Sequence, residues 1–68
     1  VTLGEALPLE QARVRKLIVM YNDPELNGAG RLAAAMMESS LREADRAVME
    51  QDIPAMIRSL EDLEGYSD

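Results

Sequence analysis

The chain has 68 residues, no Cys, His, Trp or Phe, 47% hydrophobic residues and a net charge of −6. That composition excludes a disulfide scaffold, a Cys/His zinc site and a catalytic histidine, and its acidity disfavours a phosphate backbone as partner. Near this length one hydrophobic core is marginal by itself, so a chain without staples must draw its stability from helix packing, within the chain or between copies.

Residues 1–7 read as a loosely held lead-in to a single small helical domain. Pro8 suits the first turn of a helix, where its missing N–H costs nothing. Nothing breaks a helix from Leu9 until Asp23-Pro24, so a first helix is expected over about 9–22. Val14, Leu17, Ile18 and Tyr21 share one face. Ala12 and Val19 lie nearly opposite, and Leu9 and Met20 on a third side. An apolar arc that wide asks for cover from more than one direction.

Pro24-Glu25-Leu26 reads as a single turn, with Asn27 able to cap the next helix. Gly28-Ala29-Gly30 resembles a phosphate loop, but no strand precedes it and no Lys-Ser/Thr pair comes after it. It reads better as a helix start in which Gly30 permits close packing. A long second helix is expected over about 29–51, in good helix formers. Its seam, Ala33, Met37, Ser40, Ala44 and Ala47, recurs at alternating steps of four and three, which is coiled-coil spacing with mostly small residues. Met36, Leu41 and Val48 flank it. The seam either receives the other two helices of its own chain or meets its copy across a two-fold axis. Asp52 is a natural N-cap for a third helix over 53–64, with Pro54 in its first turn and Gly65 as its stop. Ile53, Met56, Ile57, Leu60 and Leu63 form its apolar stripe. Residues 65–68 read as a second loosely held end.

Charge is unevenly spread. Residues 1–37 carry four acids and four bases, whereas residues 38–68 carry nine acids and three bases. The second half thus holds the whole excess. No apolar run approaches the length of a membrane span, and the N-terminal residues lack the basic-then-apolar pattern of a secretory signal. A cytoplasmic protein that binds neither membrane nor nucleic acid is the expectation.

Residues that could carry chemistry do not assemble into a set. Ser39, Ser40, Ser59 and Ser67 have no histidine to activate them, and Lys16 is the sole lysine. Glu61 and Asp62 diverge by about 100° on a helix, and Glu64 adds one more exposed acid. Nothing here calls for a catalytic residue, cofactor or metal. The features left over belong to a binding surface. Met49 falls among Glu38, Arg42, Asp45 and Arg46 on the polar side of the second helix, and Leu32 also lies off the seam. Arg42 and Arg46, one turn apart, either grip a partner carboxylate or pair along their own helix, Arg42 with Glu38 and Asp45. Tyr21 and Tyr66, the two aromatics, are further candidates for partner contact. Tyr66 either packs over a helix end or hangs free as a hook.

The stretch LPLEQARVRKLIVMYNDPELNGAGRLAAAMMESSLREADRAV, continuing into DIPAMIRSLEDLEGY, resembles small accessory proteins of Mu-like transposable phages of Pseudomonas-type hosts. The resemblance spans residues 7–66, through the LPLEQAR opening, the GAG segment and the MIRSLEDLEGY ending. It implies a protein of the bacterial host's cytoplasm that disables host proteins by binding them. The activities it implies are quorum-sensing anti-activation through a LuxR-type regulator, inhibition of the type IV pilus assembly ATPase, and anti-CRISPR action. It transfers no functional position. The expectation is therefore an all-α homodimer of three-helix chains with the long helix as its spine, acting without catalysis on a LuxR-type regulator or the pilus ATPase. Two alternatives stand beside it: an anti-CRISPR protein whose acidic surface mimics nucleic acid, and a phage structural or assembly factor.

Overall fold

Apolar residues at three- and four-residue spacing recur along each helix, and burying those stripes against one another defines the architecture. The computed structural model describes residues 2–67. Element order is α1 (Leu3–Tyr21), a 3₁₀ turn (Pro24–Leu26), α2 (Arg31–Glu50) and α3 (Ile53–Glu64). The expected all-helical class and three helices are present, and each helix packs against the other two. Tyr21 lies against Gly30 and Gln11 against Asp45, so α1 and α2 run antiparallel. Leu7, Val14 and Leu17 of α1 meet Met37, Leu41 and Ala44 of α2 and Leu63 of α3 in the core. Leu3, Ile18, Tyr21, Met56, Leu60 and Tyr66 pack around its edge.

The main departure from expectation is at the start. Residues 3–7 are the first turns of α1, not a loose lead-in, and Leu7 is completely buried. Pro8 sits inside the helix rather than opening it. Its ring removes the bond to the carbonyl four residues back, which belongs to Gly4, and both residues are exposed. Leu3 and Leu7 extend the row of Val14 and Leu17, with buried Gln11 in the gap. The Gln11 Nε2 donates to Asp45 Oδ1 at 2.7 Å, so the polar interruption is satisfied within the core edge. This extension gives α1 19 residues against 20 in α2. α1 therefore nearly matches α2 in length, in a body 38 × 20 × 16 Å. At the other end Tyr66 is half-buried rather than loose. Val1 and Asp68 lie outside the described residues.

Two connections set the helix arrangement. Gln51 takes a left-handed conformation, φ 54°. Its N–H bonds to the Val48 carbonyl and the Asp52 N–H to the Ala47 carbonyl, the Schellman pattern that satisfies the last carbonyls of α2. Asp52 then caps α3, its Oδ1 accepting from the Ala55 N–H at 3.2 Å, as the sequence predicts. The α1–α2 connection is longer. Asp23 caps the 3₁₀ turn by accepting from the Glu25 N–H. Asn27 does not cap α2; it ends that turn with φ 52°, and Gly30 takes the N-cap position without a side-chain bond. A Cβ on Gly30 would stand 2.2 Å from the Tyr21 carbonyl oxygen, so glycine alone allows this approach of α2 to α1. Gly65 follows α3 with right-handed angles, so it ends the helix without the left-handed turn that favours glycine.

Candidate interaction surface

The small-residue seam of α2 is filled by its own chain. Met37, Ser40, Ala44 and Ala47 are buried, and only Ala33, at the N-terminal end, is half-exposed. Small side chains let α1 and α3 both approach α2 closely. Of the two occupants the spacing allows, the helices of the same chain cover these four residues here.

The tyrosines are likewise inward. Tyr21 and Tyr66 pack against the core cluster, and the Tyr66 hydroxyl shares a 2.9 Å hydrogen bond with Ser40 Oγ. Tyr66 therefore packs over the helix end and is not a free hook. The same bond gives buried Ser40 its partner. Ser59 is buried too, while Lys16, Glu61, Asp62 and Glu64 are exposed. No group of three acids among the described residues is placed to hold a metal ion.

The outer face of α2 gathers Arg42, Arg46 and Met49. Together with Asp45 and Glu50 they line a shallow depression of ≈ 470 Å³. Met49 is 85% exposed, a long apolar side chain in water beside two cations. Asp45 does not pair with Arg42, the partner that its spacing along α2 offers. It accepts from Arg15 Nη2 at 3.1 and 3.2 Å and from Gln11, across to α1. Both partners of the Arg15–Asp45 pair are about half-exposed, so the pair contributes on the order of 0.2–1 kcal/mol. With Asp45 drawn toward α1, Arg42 and Arg46 face solvent in the two turns before Met49. Arg15 adds a third cation at the edge.

A second depression between α2 and α3 is lined by four of the chain's thirteen acids. Glu43, Glu50, Asp52 and Asp62 line it, but Arg46 and Arg58 stand among them. The two guanidinium groups break the acidic surface that a nucleic-acid mimic presents as continuous rows.

Large apolar side chains also stand in solvent at the opposite end of the molecule. Val19, Met20, Leu26, Leu32 and Met36 are exposed, all within residues 19–36. The sequence places Leu32 off the seam. It shows Met20 and Met36 only as residues of an over-wide apolar arc and a seam flank. On α3, Ile53 and Ile57 belong to the expected stripe yet remain about half-exposed, while Met56, Leu60 and Leu63 turn inward. No helix among the described residues is long and apolar enough to cross a membrane. Compared with protein-family models, curated proteins and solved structures, the chain matches none.

Proposed function

We propose that this chain is a non-enzymatic interaction protein, working as a homodimer, that inhibits a bacterial host protein by occupying its surface. The observation that carries the reading is Met49, 85% exposed in a depression that Arg42 and Arg46 also line. Keeping a methionine at such a place has no packing rationale within the chain. A flexible apolar side chain flanked by guanidinium groups suits a partner surface that offers an apolar hollow with carboxylates nearby. The phage resemblance supplies the candidate targets: a LuxR-type transcriptional regulator first, the type IV pilus assembly ATPase second. Both are cytoplasmic, and that compartment is part of the proposal.

The test is direct binding of the purified chain to each purified target by titration calorimetry. Binding at micromolar concentration or tighter is expected for one of them. Met49→Glu and Arg46→Glu should each weaken it at least tenfold, with unchanged helicity by circular dichroism. No heat with either target at tens of micromolar, or equal affinity for the variants, defeats the reading.

A further inference from the structure

We infer that a second copy of this chain covers the end of the molecule built from α1 and α2 alone, in the lane that α3 leaves empty. The inference rests on the homodimer reading above and names its surface. With 12 residues against 19 and 20, α3 is the short helix of the three. At about 1.5 Å per residue it ends roughly 10 Å before its neighbours do. Two hydrogen bonds mark where it stops. Arg13 Nη2 donates to the Leu63 carbonyl at 2.9 Å, and the Tyr66 hydroxyl meets Ser40 Oγ.

Beyond those marks the same rows continue. Met20 lies seven residues past Arg13, on the stripe of α1 that faces α3. Ala33 and Met36 lie seven and four residues before Ser40, on the matching stripe of α2. Leu32, one turn before Met36, forms the rim. Lower in the bundle these stripes are core or core edge. Here Met20 is 58%, Met36 54% and Leu32 75% exposed.

Charge and area select the occupant. Residues 17–37 carry Asp23, Glu25 and Arg31, net −1, whereas residues 38–68 carry nine acids against three bases. Two chains of net −6 repel least when they meet at this end. The lane side chains expose on the order of 400 Å² of surface, within the range of about 300–600 Å² for a monomer's largest patch. Facing copies with their rims then bury about 1,000 Å² in total, the lower limit for a specific interface. A two-fold axis through the lane sets Met20, Leu32 and Met36 of each copy against those of the other. Two α1/α2 pairs then complete a four-helix end.

Sedimentation velocity of the full chain, from about 5 to about 500 µM, tests this over the range where interfaces of this size assemble. The expected result is a species of twice the 7.5 kDa chain mass. Leu32→Glu and Met36→Glu should sediment as monomers with helicity unchanged, and Leu9→Glu, outside the lane, should remain a dimer. If either charged variant loses helicity, Met36→Gln decides, with at least a tenfold weaker dimer expected. A wild-type chain that stays monomeric throughout overturns both the lane inference and the homodimer reading. A dimer that survives both lane substitutions, or that Leu9→Glu also dissociates, overturns the lane alone. Lane substitutions that weaken target binding by a monomeric wild type assign the lane to the target and overturn a second copy as its occupant.

Discussion

One methyl group added at Gly30 tests the junction on which α1 and α2 meet. Gly30 has φ −92°, which alanine adopts freely, so the backbone itself poses no objection. Space does. The new Cβ would lie 2.2 Å from the Tyr21 carbonyl oxygen, 2.9 Å from its carbon and 3.0 Å from its Cα. All three are backbone atoms, so no side chain can swing aside. The flanking turns are tied as well: Asn22 N–H bonds to the Ile18 carbonyl and Ala34 N–H to that of Gly30. Relief requires the two helix ends to separate by about 1 Å, an overpacking cost of about 1–3 kcal/mol. Loss of unfolded-state entropy returns about 0.4–1 kcal/mol to any Gly→Ala change. The net expectation for Gly30→Ala is a loss of about 1–2 kcal/mol. At about 4–8 °C per kcal/mol for a domain of this size, the melting temperature should fall by roughly 5–15 °C. Gly4→Ala is the internal reference. Its added Cβ meets nothing nearer than Thr2 Oγ1 at 4.0 Å, and it lies in the first turn of α1. It shares the unfolded-state gain without the clash and should raise stability by about 0.5–1 kcal/mol. Thermal and urea unfolding followed by far-ultraviolet circular dichroism compare the two. Should Gly30→Ala match or exceed the wild type, the close approach of α2 to α1 is not as described, and the reasoning is refuted.

Gln51 holds a left-handed angle that costs an L-residue about 1–2 kcal/mol and glycine nothing. After the extra flexibility of the unfolded chain is subtracted, Gln51→Gly should gain about 0.5–1 kcal/mol, read as a higher urea midpoint at constant slope. A lower midpoint would contradict the Schellman assignment. Tyr66→Phe deprives buried Ser40 of its hydroxyl partner and should cost about 1 kcal/mol. Removing the second hydroxyl with Ser40→Ala should recover part of that loss. Strict additivity in the four-variant cycle would mean the two groups do not interact.

The order and type of the helices, the Asp52 cap, the 3₁₀ turn and the role of Gly30 are legible in the sequence because each is written in adjacent residues. The start of α1 is not, because two local signals mislead. Pro8 normally marks a first turn, and Gln11 interrupts the apolar row that links Val14 back to Leu7 and Leu3. Only the tertiary bond from Gln11 to Asp45 shows that a polar residue belongs in that row. The seam misleads differently. Its spacing and small side chains identify a helix approached closely by others, but carry no information on which chain supplies them. Asp45 pairs on paper with Arg42 because local pairs are all a sequence can display; its partners are 30 and 34 residues away. The exposure of Leu32 and Met49 is readable from helical phase. That of Met20 and Met36 depends on where α3 stops relative to its neighbours, a fact of three-dimensional register.

The molecule is 38 Å long, which is four or five times the screening length of about 8 Å in physiological salt. Its two ends are therefore electrically separate. Residues 38–68 carry the net −6, whereas residues 17–37, at the end built from α1 and α2 alone, carry −1. An anionic surface is turned away from one pole and tolerated at the other. Lowering the salt lengthens the reach of that field until the whole particle is felt as acidic, so the discrimination between its poles belongs to conditions close to those inside a cell.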